Sequence, residues 1–289
     1  DSLGMTLARL PSLTDFKKGL TGSNEISIKP IDVEDLLGRP QTSLDSRGMR
    51  DLITKRRVLI TGAGGSIGSE LVRQIANYIP SKIILVENSE FNLYTIDMEL
   101  SNKNPGVTRH ALIGDVRDRQ RMFQIFKQYK PELVFHAAAL KHVPMVEFNM
   151  FEGMFTNVIG TKNVADAANK ALVSTFVQIS TDKAVNPSNI MGASKRIAES
   201  YCQALDLERG PNTTRFITVR FGNVLGSAGS VVALFRSQIS KGGPVTVTDP
   251  KMKRYFMTVR EAVELVLAAS ALGTTQPNQI GKIFVLEMG

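Results

Sequence analysis

Asp182 and Lys183 stand side by side at the end of an apolar run, Thr175–Ser180, and Met191-x-x-x-Lys195 opens the helical pattern that follows. A carboxyl and an amine held together can serve as a general acid and a general base, provided both have the right protonation state. Burial pushes both groups toward neutrality and a close ion pair pushes both back toward charge, so sequence leaves that contest open. An ordinary salt bridge beside a turn is the competing reading.

Upstream, Val58–Thr61 runs straight into Gly62-Ala63-Gly64-Gly65-Ser66-Ile67-Gly68 and then an amphipathic helix. Glycines at 62, 65 and 68 suit a tight turn, close approach of backbone to a pyrophosphate, and close helix–strand packing. The helix start adds N–H groups and the positive end of a dipole. Glu87 ends the next apolar run, where a carboxylate accepts from ribose hydroxyls and repels a 2′-phosphate. This pattern predicts a dinucleotide site for NAD rather than NADP. No Gly-Lys-Ser/Thr follows the loop, which excludes a Walker A reading. Asp115, in Gly114-Asp115-Val116, faces an adenine amine or is a plain loop cap. Ala137 and Ala138, in LVFHAAALK, let a flat ring lie against backbone. Lys195 then bridges the nicotinamide ribose or is an exposed helical lysine.

Short apolar β-type runs and longer helical patterns alternate from Arg56 onward, which indicates βαβ units and a parallel sheet covered on both faces. The expected fold is α/β, a doubly wound parallel sheet of Rossmann type. Residues 1–54 carry many breakers and read as an arm or linker, with one short helix near Val33–Leu37. Residues 55–289 form the dinucleotide-binding domain. After about residue 223 a helix near Ser230–Ser240, a strand near Val245–Thr248, a helix from Val259 and a last strand Ile283–Glu287 suggest a small C-terminal substrate lobe.

The 35 Lys+Arg against 27 Asp+Glu give +8 in 289 residues, which suits an anionic ligand without naming one. A single cysteine excludes an intramolecular disulfide, and three histidines argue against a zinc site. No stretch reaches the roughly 18 apolar residues that span a bilayer. Basic residues such as Arg47, Arg50, Lys55, Arg56 and Arg57 lack interleaved aromatics, so no nucleic-acid surface is indicated. The start at Asp1 and the end at Gly289 read as an excised, soluble piece of a longer protein.

The motifs DLLGRP, ITGAGGSIGSELVRQI, ENSEFNLY, HAAALKHVP, STDKAVNP, MGASKR, FGNVLGSAGSVV and GGPVTVTDPKMKRYFMT run from about Asp35 to the end. With them the chain resembles the extended short-chain dehydrogenase/reductases, and more closely the large nucleotide-sugar 4,6-dehydratases of bacterial polysaccharide and glycan biosynthesis. The resemblance implies a redox-neutral elimination on a UDP-N-acetylhexosamine, UDP-N-acetylglucosamine above all, with tightly held NAD. A hydride leaves carbon 4, a base removes the carbon 5 proton, water leaves from carbon 6, and the hydride returns there. Asp182 then corresponds to the acid and Lys183 to the base.

In the wider superfamily a Tyr-x-x-x-Lys does the proton transfer, and here it is Met191-x-x-x-Lys195. The large dehydratases carry methionine at this place, so the change fits membership. Which group takes the carbon 4 hydroxyl proton stays open between Thr181, Asp182 and a water; Thr181 or Ser180 hydrogen-bonds that hydroxyl. Lys141 and His142 are candidates for the sugar pocket. Asn223 with Ser227 and Ser230, and Arg254 as a guanidinium clamp, are candidates for the diphosphate. A loop histidine and a solvated basic strip are the alternatives.

The resemblance also implies a homo-oligomer and a parent anchored at the cytoplasmic face of a bacterial inner membrane. Membrane contact would come only through a part preceding Asp1. The family continues past Gly289 with segments that complete the substrate lobe. An epimerase or reductase on the same scaffold, or a non-catalytic NAD-binding scaffold, are the other readings.

Overall fold

A computed structural model describes residues 8–9, 29–30, 46–210, 213–227, 229, 231–276 and 280–288. The chain divides into two units, Asp1–Pro40 and Gln41–Gly289. In the first, β1 (Ala8–Arg9) pairs antiparallel with β2 (Lys29–Pro30). The expected helix near Val33–Leu37 lies outside the described residues, as does Ser230.

The second unit begins with α1 (Ser46–Ile53), which the sequence reading assigned to the arm. Met49 and Ile53 on this helix are buried in the core of the larger unit, which places the division at residue 40 instead of 54. Next come β3 (Arg57–Thr61), α2 (Ser66–Ala76), β4 (Lys82–Glu87), α3 (Glu90–Lys103), β5 (Arg109–Ile113), α4 (Arg119–Tyr129) and β6 (Leu133–His136). Two short helices, α5 (Val143–Phe148) and α6 (Met150–Met154), lead through a π-helical turn at Phe155–Gly160 into α7 (Thr161–Lys170). β7 (Thr175–Thr181), a 3-10 turn at Asp182–Ala184, α8 (Ile190–Leu207), β8 (Arg215–Phe221) and β9 (Asn223–Leu225) follow. The chain continues through α9 (Val231–Ser240), β10 (Phe256–Thr258), α10 (Val259–Thr275) and β11 (Ile283–Val285).

Among the described residues, seven strands form one parallel sheet in the order β11-β8-β7-β6-β3-β4-β5. Alternate residues of each strand serve opposite faces, which is why the strands read as unbroken apolar runs. Val58 and Ile60 of β3 join a core with residues of α1, α2, α3 and α10, whereas Leu59 joins a second core with α4, α7 and α8. Local caps fix the helix starts: Ser89 accepts from Asn92 N–H, Asp118 from Arg121, Asn189 from Gly192 and Thr258 from Glu261.

Strand order reverses between β3 and β6, and the crevice of such a sheet opens at that switch, beyond the carboxyl ends of the strands. The carboxyl-terminal part departs from expectation. β11 completes the main sheet beside β8 and α10 packs into its core, so neither belongs to a separate lobe. No strand forms at Val245–Thr248, where every residue is exposed and no neighbouring strand supplies a ladder. Instead β10 pairs parallel with β9.

Candidate functional site

Gly62 takes φ +64, and a Cβ there would come within 2.7 Å of the Ala138 nitrogen, so the loop after β3 lies directly against the loop after β6. A Cβ on Gly68 would sit 1.9 Å from the Gly62 carbonyl oxygen, so the first turn of α2 closes onto the loop only with glycine there. Gly65 is the N-cap of α2 and no side chain caps it, which leaves that helix end to an anion. Ile67 packs against the core, so only its backbone is available to a ligand.

The Glu87 carboxylate is buried and gathers three backbone donors: Gly64 N–H at 3.0 Å on Oε2, Asn88 N–H at 3.0 Å and Ser89 N–H at 3.1 Å on Oε1. It therefore shapes the glycine loop as well as lining the cavity. That cavity, of about 650 Å³, is lined by Gly62, Gly65, Glu87, Asp115, Val116, Ala137, Ala138, Lys141 and His142, among others. Arg117 grips Asp115 through Nη2 at 2.6 Å and reaches Glu152 through Nη1 at 2.6 Å. The guanidinium holds the Asp115 carboxyl below its ordinary pKa, and the pairing raises that of Arg117. These residues fit NAD: Gly62 and Gly65 line the cavity together with the Glu87 carboxylate, whose charge would repel a 2′-phosphate.

At the neighbouring strand ends Asp182 Oδ1 accepts from Thr181 Oγ1 and from Lys183 Nζ, both at 2.9 Å. Lys183 Nζ also donates to Asn223 Oδ1 at 3.2 Å. The pair is partly open, with 52% of the Asp182 side chain and 33% of the Lys183 side chain exposed. Both donors converge on one carboxylate oxygen, Oδ1. Gly222 lies beside the other oxygen, since a Cβ there would lie 3.2 Å from Oδ2.

Met191 and Lys195 share a buried face of α8. Lys195 Nζ donates to the Ile179 carbonyl at 2.6 Å, and burial lowers its pKa to about 8 against the opposing pull of Glu199. Ser180 is buried and donates to Glu199 at 2.5 Å, so of the two hydroxyls weighed for the substrate only Thr181 stands beside Asp182. His142 lies against the loop after β9, where a Cβ on Gly229 would meet its ring at 2.4 Å. Lys141 is exposed at the cavity mouth, and desolvation lowers its pKa. Arg254 is exposed and donates to the Lys253 carbonyl; the structure does not bring it to the pair. Exposure of the whole 243–255 stretch explains why no contact draws it in.

Two buried assemblies carry no weight in the sequence reading. His136 bridges Thr61 Oγ1 at 2.7 Å and Thr161 Oγ1 at 2.9 Å. Thr161 donates to the Asn157 carbonyl, so it accepts from Nε2–H, and Nδ1 accepts from Thr61. Burial pushes the His136 pKa down to about 3, which keeps the ring neutral. Asn157 then clamps both the N–H and the carbonyl of Leu140 and donates to Ser194 of α8. In the second assembly, Glu199 receives Ser180, Arg220 and Arg196. The signals were a histidine closing an apolar strand, and a glutamate one helical turn beyond Lys195.

Among the described residues no cluster of metal-ligating side chains occurs, and no helix is long and apolar enough to cross a membrane.

A family model described as "Polysaccharide biosynthesis protein" matches residues 58–289. The Staphylococcus aureus capsular polysaccharide biosynthesis protein CapD is 49% identical over 288 residues, covering 99% of this chain and 46% of that protein. A Campylobacter jejuni UDP-N-acetylglucosamine 4,6-dehydratase (inverting) is 36% identical, over 75% of this chain and 64% of its own length. Among solved structures, Pen from Bacillus thuringiensis superposes with TM-score 0.70 at 37% identity, covering 75% of this chain and 67% of that one. The chain thus spans about half the length of the first curated relative.

Proposed function

We propose a function from one premise: this chain belongs to the family of polysaccharide biosynthesis proteins. Its relatives include nucleotide-sugar dehydratases. On that premise we read the site as an NAD-dependent UDP-N-acetylhexosamine 4,6-dehydratase, with UDP-N-acetylglucosamine as substrate and a UDP-4-keto-6-deoxy-N-acetylhexosamine as product.

The observation that carries this reading is the Asp182–Lys183 pair, anchored by Thr181 and Asn223 at the carboxyl ends of β7 and β8. Epimerisation or reduction at carbon 4 needs no base for carbon 5 and no acid for carbon 6. Gly62, Gly64, Gly65, Ser66, Ile67 and Gly68 would hold the NAD pyrophosphate, Glu87 a ribose, Asp115 and Val116 the adenine, and Ala137, Ala138 and Lys195 the nicotinamide half. When bound, NAD supplies an acceptor for hydride and later its donor.

Thr181 orients the carbon 4 hydroxyl, whose proton passes to a water as carbon 4 is oxidised. Lys183 takes the proton from carbon 5, the electron pair of that bond forms the new double bond as the carbon 6–oxygen bond breaks, and Lys183 returns a proton to carbon 5 when carbon 6 is reduced. Asp182 delivers a proton to the departing hydroxyl, which leaves as water. A bound hexose excludes water from the pair. Met191 takes no proton; it fills the buried wall beside Lys195. Lys141, His142, Asn223 and Arg254 are proposed for the sugar nucleotide, Arg254 on condition that its exposed segment folds over the ligand. The proposal extends to a homo-oligomer and to a parent at the cytoplasmic face of a bacterial inner membrane.

Incubation with UDP-N-acetylglucosamine and NAD tests the reading by product mass. A product lighter by one water supports it; a product of unchanged mass points to epimerisation and contradicts it.

A further inference from the structure

Glu199 has no exposed surface, yet its carboxylate holds three partners from different parts of the site. Ser180 Oγ donates at 2.5 Å, Arg220 donates through Nε at 2.7 Å and through Nη2, and Arg196 Nη1 reaches it at 3.3 Å. Ser180 and Arg220 face each other in register on β7 and β8. Beyond them the two strands release Thr181-Asp182-Lys183 and Gly222-Asn223, the groups that meet at Lys183 Nζ. Glu199 itself lies one turn beyond Lys195 on the same face of α8.

A carboxylate placed this way ties two strand ends to one helix, and a charge without solvent around it holds its partners tightly. We propose that Glu199 is the positioning residue of this site, which sets the Thr181–Asp182–Lys183 loop against the helix bearing Met191 and Lys195 through Ser180 and Arg220. This rests on the dehydratase reading for its kinetic consequence only; the geometric tie stands apart from it.

Glu199 also acts on the Lys195 ammonium, one helical turn away on the same face of α8. The groups around the Lys195 ammonium are Glu199 and Cys202 on its own helix, His136 on β6 and the Ile179 carbonyl on β7, with Arg220 of β8 behind Glu199. Burial lowers the ammonium pKa and the Glu199 charge raises it, so loss of that charge lowers it further.

Two variants separate the arms. Glu199→Gln removes the charge, and Ser180→Ala keeps it but cuts the tie to β7. For Glu199→Gln we expect kcat reduced roughly ten- to hundred-fold, as misplacement of reacting groups produces. KM should stay within about two-fold, because uniform substrate binding is not what is lost. The titration midpoint of the Lys195 side chain should fall. That midpoint is read from the ¹³Cε NMR signal, assigned by its absence in Lys195→Arg. For Ser180→Ala we expect a smaller fall in kcat with an unmoved Lys195 midpoint.

A folded Glu199→Gln protein with wild-type kcat and an unmoved midpoint overturns the proposal. If Glu199→Gln does not fold, Ser180→Ala decides, and unchanged kcat there overturns it. If the wild-type protein does not dehydrate its sugar, the functional reading fails and the NMR midpoints still decide: a fall in Glu199→Gln, or in Glu199→Asp should Gln not fold, supports the charge arm, and no fall overturns it.

Discussion

Lys183 Nζ and Asn223 Oδ1 lie 3.2 Å apart, although they belong to different loops of the sheet. The parallel register that pairs Thr181 with Phe221 places the exits of β7 and β8 side by side, and Asn223 follows β8 by two residues. The ammonium is thus aimed by two acceptors, Asp182 and Asn223, where one would leave it free to rotate.

Substitutions at this pair should stop chemistry without emptying the cofactor site. Asp182→Asn and Lys183→Ala are each expected to lower turnover by about 10²–10⁴, the range for loss of a general acid or base. Asn223→Ala should cost about ten-fold, since Asp182 still holds Lys183. NAD content after purification, measured by release on denaturation, should match wild type in all three.

Gly68→Ala should abolish NAD binding. Its Cβ would meet the Gly62 carbonyl oxygen at 1.9 Å, a contact that only displacement of the loop or of α2 relieves. Calorimetric titration with NAD and a thermal melt check this; wild-type affinity in the variant would contradict the close packing.

Glu87→Ala strips Gly64, Asn88 and Ser89 of their acceptor. These donors are only partly buried, so water replaces part of the lost bonding and the cost stays below the roughly 1–3 kcal/mol each of a fully buried donor. A lower unfolding midpoint is expected, with weaker NAD binding and reduced discrimination against NADP. Competitive binding of the two dinucleotides measures that discrimination.

Acid should destabilise the protein partly through His136. Its folded pKa, about 3, lies below the ordinary 6.5, so the unfolded chain binds a proton that the folded chain refuses as pH falls below 6.5. Stability is expected to fall by about 1.4 kcal/mol per pH unit from this group until pH nears 3. Denaturant unfolding across pH 7 to 4 should show a shallower slope for His136→Asn than for wild type. That variant should also be less stable at neutral pH, because Thr61 and Thr161 lose a partner.

The sheet was legible because strands buried on both faces leave unbroken apolar runs, and the glycine loop because backbone approach allows little except glycine. That Asp182 and Lys183 meet follows from their adjacency in the sequence. Their anchoring to Asn223 does not, because it depends on the exits of β7 and β8 lying side by side in the sheet. Glu199 and His136 were missed for a related reason: a buried polar group is defined by its partners, and those lie on other strands. Arg254 reads as a phosphate clamp from its guanidinium, yet its segment 243–255 is exposed throughout, its apolar residues Val247, Met252 and Tyr255 included. α1 was misassigned because its buried residues, Met49 and Ile53, sit among polar and breaker residues that mask one short apolar stripe.

The central claim is that Lys183 and Asp182 act together on carbons 5 and 6 of a bound hexose. The most direct measurement is the reaction of UDP-N-acetylglucosamine with this protein and NAD in deuterated water, followed by NMR and mass analysis of the product. The account predicts a 4-keto-6-deoxy sugar carrying deuterium at carbon 5, lost in the Lys183→Ala variant. A product that retains its carbon 6 hydroxyl and the original carbon 5 proton would contradict it.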